Sequence, residues 1–244
     1  MVAPIETQQT TTPKQEVLCS ITTAGDSSAQ SMNWRLAIPA TFDLGMDRFS
    51  VFLTMLGPKE RLEFYQLLRD RSSKNQITIP FVHARSDMLP DEYKMFMSEF
   101  GTERFNLHPV RKTPLPDCGL PDDLREIIYI ENVGKLLESD LIGFAGLCLD
   151  ISHLEITRKA YPDYFPELCR LAKTYTIGAS HISAFEQTAS LDKHSYSSLS
   201  EFEYLYHFPL SFFGKYVAIE LSNKLSEQLP VKELVEQYIG INQN

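Results

Sequence analysis

The sequence predicts an α/β protein, a single (β/α)8 TIM barrel of parallel strands with trimmed rim loops, and three observations carry that expectation. From Leu36 onward, short apolar runs alternate with stretches of helical periodicity, the signature of βα units around a parallel sheet. Eight such runs fall within about 205 residues (36 to 240), a length that suits a compact barrel. No glycine-rich phosphate turn follows the first run, as an open doubly wound sheet would normally require.

The expected strands, in order, are WRLAIPA (34–40), RFSVFLTM (48–55), QITIPFVHA (76–84), RFNLHPV (104–110), EIIYIEN (126–132), GLCLDIS (146–152), IGASHIS (177–183) and KYVAIELS (215–222). Amphipathic stretches lie between them: KERLEFYQLLRDR (59–71), DEYKMFMSEF (91–100), YPDYFPELCRLAKTY (161–175) and SLSEFEYLYHF (198–208). In the last such stretch, VKELVEQYI, Val231, Leu234, Val235 and Ile239 fall on one helical face. The fourth and fifth units read as truncated, because RKTPLPDCGLPDD (111–123) is too rich in Pro and Asp for a long helix.

Composition narrows the class. The chain has 244 residues, 43% hydrophobic and 23% charged, which excludes disordered, collagen-like and disulfide-scaffold proteins. A chain of this length buries a sizeable core without staples. Its formal charge of −9 argues against broad, non-specific nucleic-acid binding. Four cysteines (Cys19, Cys118, Cys148, Cys169) lie far apart with no C-x-x-C pair, and are read as reduced thiols of a cytoplasmic protein. No run approaches the ~18 apolar residues of a membrane span, and the start of the chain has neither the basic nor the apolar part of a signal peptide. Residues 1–30 are expected to be a polar, flexible segment, with the catalytic barrel over 31–244.

The informative pattern lies at the C-terminal ends of the expected strands, where parallel barrels build their active sites. These ends carry His83 in PFVHAR, His108 in FNLHPV, Glu131 in IYIEN, Asp150 and His153 in CLDISH, His181 in ASHIS and Glu220 in AIELS. Asp192 and His194 follow the seventh strand in D-K-H. A lone histidine at a strand end is more often a hydrogen-bonded structural residue, and a lone Asp there often caps the next helix. Nine metal-capable groups at corresponding points of six consecutive units are hard to explain in that way, since buried carboxylates are costly unless paired or metal-bound. Five of the six histidines belong to the set, His207 being the exception. Imidazole and carboxylate without thiolate suit zinc, manganese or iron. By strand alternation, Cys148 shares the inward side with Asp150 and fills the barrel interior. Asp-x-His sets two groups on one side of an extended segment, whereas Asp-x-x-His is expected to turn a strand end into a loop.

Together these motifs, VHA, LHP, IEN, LCLDISH, SHIS, DKH and IEL, resemble in kind and order the xylose isomerase-like TIM-barrel superfamily, and within it the endonuclease IV branch (AP endonuclease family 2). The resemblance covers residues from about 36 to the C-terminus. It implies up to three divalent metal ions, zinc first, with manganese or iron as alternatives. The first would be held by His83, His108 and Glu131, and the second by Glu131, Asp150, His181 and Glu220. The third would be held by His153, Asp192 and His194. In that family the cluster hydrolyses a phosphodiester, so the resemblance implies a hydrolase acting on a phosphorylated small molecule or on damaged, abasic-site DNA, with no membrane partner. Glu131, Asp150 and Glu220 are then the candidate catalytic carboxylates. Arg85, Arg111 and Lys112 follow strands and are candidates to meet substrate phosphate, or else ordinary solvated charges.

Two other enzyme classes fit parts of the pattern. A metal-dependent sugar isomerase or epimerase needs only the set Glu131, Asp150, His181 and Glu220. A multinuclear non-haem iron oxidase also uses an E-N strand end and a D-x-H segment. His83, His108, His153, Asp192 and His194 are superfluous to the isomerase and favour the hydrolase.

Overall fold

The computed structural model describes residues 14–23, 33–72, 76–186 and 191–241. The strands are β1 (Glu16–Leu18), β2 (Ser20–Thr22), β3 (Ser50–Phe52), β4 (Phe81–His83), β5 (Arg104–Leu107), β6 (Ile128–Glu131), β7 (Gly146–Asp150), β8 (Ile177–Ile182), β9 (Ala184–Glu186), β10 (Leu191–Lys193) and β11 (Tyr216–Ile219). Nine of them form one sheet in the order β1-β11-β8-β7-β6-β5-β4-β3-β2. β1 and β2 are a single stretch interrupted at Cys19; β1 pairs in parallel with β11 and β2 in parallel with β3. Counted as one stave, they close the other seven strands into a (β/α)8 barrel. β9 and β10 stand apart as an antiparallel pair, with Asp192 opposite Phe185.

Around the sheet run α1 (Trp34–Asp43), α2 (Pro58–Ser72), α3 (Pro90–Phe100), α4 (Asp122–Arg125), α5 (Ile151–Ala160), α6 (Phe165–Thr174) and α7 (Leu225–Ile241). The third is specified at both ends: Pro90 opens it, Asp91 and Glu92 complement its dipole, and Gly101, at φ +65°, ends it in a left-handed turn. The truncated units are as expected, with the four-residue α4 after β5 and a 3₁₀ turn (Glu138–Leu141) after β6. No helix among the described residues is long and apolar enough to cross a membrane.

Strand periodicity divides the core into two layers and also aims the rim. Outward residues such as Val82, Ile130, Leu147, Leu149, Val217 and Ile219 join the main core beneath the helices. Inward residues Phe81, Tyr129, Cys148, Ala179 and Ala218 fill the barrel interior. Two positions further along each of these staves lie His83, Glu131, Asp150, His181 and Glu220, so the same alternation that packs the interior delivers all five to one mouth. Gly178 makes room for the Tyr129 ring, since a Cβ there would lie 2.1 Å from it.

Several expected elements are corrected. WRLAIPA is not a strand: residues 34–40 open α1, with Asn33 accepting from the Arg35 amide at 2.9 Å as a cap. Trp34, Ala37, Ile38 and Thr41 recur at helical spacing and are buried, so period outweighs the apolar run. The first stave lies instead at 16–22, inside the segment expected to be flexible. Its residues Val17 through Thr22 are all buried, because a strand covered on both faces buries every side chain whatever its neighbours along the chain. Residues 1–13 and 24–32 lie outside the described residues. The segment 198–208 forms a 3₁₀ helix (Leu199–His207).

Candidate metal centre

All nine strand-end residues meet at the C-terminal mouth of the barrel in one connected cluster. Glu131 stands at its middle. Its Oε2 lies 2.8 Å from His83 Nε2, 3.5 Å from His181 Nδ1 and 3.8 Å from His108 Nε2, and its Oε1 lies 3.6 Å from His153 Nδ1. Glu220 Oε2 reaches His181 Nδ1 at 3.5 Å and its Oε1 reaches His194 Nδ1 at 3.8 Å. Asp192 Oδ2 joins His153 Nε2 at 3.4 Å to His194 Nε2 at 3.8 Å. The rings of His83 and His181 stack at 5.2 Å, and His108 stands edge-on to His83 at 5.0 Å. His83, Glu131, Asp150, His181 and Glu220 are buried, while His108, His153, Asp192 and His194 form the partly open side.

Asp150 does two jobs. It is the N-cap of α5, so its Oδ1 accepts from the His153 amide at 2.9 Å and the Ser152 hydroxyl at 2.6 Å. The expected loop at Asp-x-x-His is therefore a helix start, and His153 sits in its first turn because Asp150 caps it. With Oδ1 occupied, Oδ2 faces the cluster and has no hydrogen-bond partner. In D-x-H, Asp192 lies in the extended β10 and His194 just beyond it, both directed to the same side.

A surrounding layer holds the cluster in place, and composition alone did not reveal it. Asn106 donates from Nδ2 to Glu131 Oε2 at 2.8 Å. Asn132 ties the end of β6 to β7, donating to the Asp150 carbonyl at 2.9 Å and accepting from the Asp150 amide at 2.6 Å. His83 Nδ1 lies 3.2 Å from the Ala84 carbonyl, which leaves Nε2 free to face Glu131. Cys148, expected as interior filling, also touches His181 Nε2 at 3.3 Å through its sulfur. An asparagine between the two apolar residues of a strand, as in FNL, is the signal that could have marked Asn106.

Electrostatics sort these groups. Burial drives the imidazoles of His83 and His108 down, and that of His181 well below its ordinary range, so these three stay neutral. Burial also opposes a proton on His153, but Asp150, Asp192 and Glu131 outweigh it and carry its pKa up to about 10. His194 is raised against burial by Glu220 and Asp192. Burial pushes Glu131 up, and Glu220 up to about 7. Four carboxylates brought into one partly dry mouth demand positive charge.

The donor set fits metal ions. Asp150 Oδ2, His153 Nδ1 and His181 Nδ1 are buried without hydrogen-bond partners, and all three face the cluster. Three overlapping groups bring their ligand atoms within 4.8 Å of one another: His83, Glu131 and His181; Glu131, Asp150 and His153; Asp150, His181 and Glu220. The last is contained in the expected second set. The expected first set is gathered around Glu131 with His108 at longer reach, and the expected third set is joined through Asp192. Imidazole and carboxylate donors suit zinc, manganese or iron.

The cations expected at the rim are already engaged. Arg85 pairs with Asp87 at 2.9 Å and donates to the Thr54 carbonyl. Arg111 pairs with Asp140 at 2.8 Å, and Lys112 donates to the Val133 carbonyl. Arg85 lines a cavity of about 130 Å³ with His83, His108 and Thr113. On the other side, a cavity of about 490 Å³ opens against His153 and Asp192.

No family model and no curated protein matches the chain. Solved structures do. A xylose isomerase domain protein from Alicyclobacillus acidocaldarius is 14% identical, with 94% of this chain and 100% of that one covered and a TM-score of 0.52. A D-tagatose 3-epimerase-like protein is 14% identical over 93% and 98% of the two chains, with a TM-score of 0.48. Endonuclease IV from Thermus thermophilus is 12% identical over 90% and 99%, with a TM-score of 0.42. What the chain shares with the first of these, at 14% identity, is the fold.

Proposed function

We propose that this chain, folded as a xylose isomerase-like TIM barrel, is a metal-dependent hydrolase of phosphate esters. The observation that carries the proposal is the single cluster of nine His, Asp and Glu side chains, above all the presence in it of His153, Asp192 and His194. A centre built around one ion has no use for those three.

In this proposal His83, His108 and Glu131 hold one ion, Glu131, Asp150, His181 and Glu220 a second, and His153, Asp192 and His194 a third. Bound there, divalent ions supply Lewis acidity and lower the pKa of water towards ~7. The chain's own contribution is preorganisation. Asn106 fixes the Glu131 carboxylate, Ser152 and the His153 amide fix that of Asp150, and the Ala84 carbonyl fixes the His83 ring. Because Arg85 and Arg111 are each paired with a carboxylate and the net charge is −9, a small phosphate ester is better supported as substrate than a DNA duplex.

The test is metal stoichiometry of protein purified without chelators, for wild type and His194→Ala by the same method. Near three zinc ions per chain are expected in the wild type and about one fewer in the variant. Turnover of a phosphate ester should fall by about three orders of magnitude, since an ion stabilising transition-state charge is worth several kcal/mol. An unchanged stoichiometry would overturn the proposal. A mononuclear sugar isomerase is the second candidate, supported by the compact group Asp150, His181 and Glu220. It would hold one manganese or magnesium ion, indifferent to His194→Ala. Iron in place of zinc would point to an oxidase.

A further inference from the structure

Among the described residues, two cavities beside the cluster are unequal, and the inequality speaks to the substrate. Beside His83 and His108 the space is about 130 Å³ and its walls are polar, with Thr54, Arg85 and Ser86. Beside His153 and Asp192 it is about 490 Å³, within the range of sites that enclose most of a drug-sized ligand. Its further walls come from Ile156, Thr157, Tyr161 and Tyr164, with the Lys135 ammonium as a cation on the side away from the cluster's own groups. Tyr164 is held in place: its hydroxyl donates to the Leu136 carbonyl at 2.5 Å, and the Lys135 ammonium stands 5.8 Å from its ring. Tyr161, just beyond the end of α5, is 62% exposed.

A free sugar would need a hydrogen-bonding group for most of its hydroxyls, whereas here the Thr157 hydroxyl already donates to the His153 carbonyl at 2.8 Å and the Tyr164 hydroxyl to that of Leu136. A planar aromatic group needs a flat apolar platform and tolerates a cation at its edge. The larger cavity therefore suits a planar aromatic substituent of nucleobase size, joined through a short linker to a phosphate that lies at His153 and Asp192. We infer that the substrate class is a small phosphate ester of a nucleoside type, its base on Tyr161 and its small side toward His83 and His108. This rests on the hydrolase proposed above, but it concerns binding and can fail or stand separately.

The experiment is calorimetric titration of the zinc-loaded protein with adenosine 5′-monophosphate and with glycerol phosphate, in wild type, Tyr161→Ala and Lys135→Gln. Adenosine monophosphate should bind wild type at least about tenfold more tightly than glycerol phosphate. That advantage should shrink about tenfold in Tyr161→Ala, the effect of losing one base–aromatic stack. In Lys135→Gln both ligands should weaken together. Equal affinity for the two ligands in wild type, no binding of either, or an advantage that survives Tyr161→Ala would overturn the inference. Turnover separates the two proposals. Selective binding lost in Tyr161→Ala without any hydrolysis sinks the hydrolase and leaves the pocket. Hydrolysis of both esters alike, untouched by Tyr161→Ala, sinks the pocket and leaves the hydrolase.

Discussion

Two buried charge networks in this barrel are built on opposite terms. Between α2 and α3, Arg61 is 1% exposed and all three of its nitrogens are used: Nε on Glu92 at 2.8 Å, Nη1 on Asp87 at 3.0 Å, and Nη2 on Glu92 at 3.2 Å. The Tyr65 hydroxyl adds a bond to Glu92 at 2.8 Å. Burial alone would raise the Glu92 carboxyl, yet Arg61, the Leu89 amide and Tyr65 hold it below its ordinary range. At the barrel mouth the signs are reversed. Burial wins at Glu131 and Glu220, and three buried polar atoms have no partner. A network whose members satisfy one another holds the fold together. One whose members leave lone pairs aimed at a common point does not hold itself together in that way.

Breaking the satisfied network should have the larger effect on stability. Arg61→Ala removes a fully buried side chain and leaves the partly buried Glu92 without its cation, and should cost about 3–5 kcal/mol, or roughly 10 °C in melting temperature for a chain of this size. Metal content per folded molecule should not change. A cost below about 1 kcal/mol in a denaturant titration would reduce the network to the worth of an exposed pair and erase the contrast. The same contact has a pH signature. Because the folded pKa of Glu92 is lowered, its contribution is present above the unfolded carboxylate value and fades as pH falls through the folded one. The acid limb of the stability profile should therefore flatten in Arg61→Ala.

The unsatisfied network should respond to metal instead. Zinc at about 100 times its dissociation constant should add about 2.7 kcal/mol to wild-type stability. Glu131→Gln should abolish that gain, and should also raise the melting temperature of the metal-free protein, because it removes a carboxylate that burial penalises. If zinc leaves the wild-type melting temperature where it was, the cluster is not a metal site.

Asp150 belongs to both kinds of network, so it offers the smallest and sharpest division. Asp150→Ala should lose the α5 cap, worth about 1 kcal/mol, together with metal. Asp150→Asn should keep the cap and lose only metal. Equal melting temperatures for the two metal-free variants would mean that Oδ1 does not hold the helix.

How much of this was legible in the sequence follows from which forces are local. Seven of the eight expected strand runs hold staves, six with the apolar run closed by a chemically marked end and RFSVFLTM on its apolar run alone. The eighth stave escaped because EVLCSIT lies in Thr- and Gln-rich surroundings and carries no ligand to mark its end. WRLAIPA misled because seven residues are too few to separate one helical turn from a strand when Pro39 sits inside them. At the site, the nine ligand-type residues were readable from their place at strand ends. What was not readable was pairing: that Asp87 and Asp140 would engage Arg85 and Arg111, or that Asn106 would reach Glu131, depends on contacts 2 to 29 residues apart.

The stave Glu16–Thr22 also bears on how the barrel is assembled in time. It is stitched to residues near the other end of the chain: Glu16 pairs with Tyr216, and Gln228 accepts from the Ser20 amide at 2.8 Å across a separation of 208 residues. The Gln228 amide returns the bond to the Ser20 carbonyl at 3.0 Å. Such a seam carries nearly the largest loop-closure entropy the chain can incur, so it forms late. Until β11 has left the ribosome, β2 can dock on β3 while β1 remains an open edge. The cluster at the mouth draws its last members from β10 and from the residues just beyond β10 and β11, so it is completed in the same late step that closes the seam.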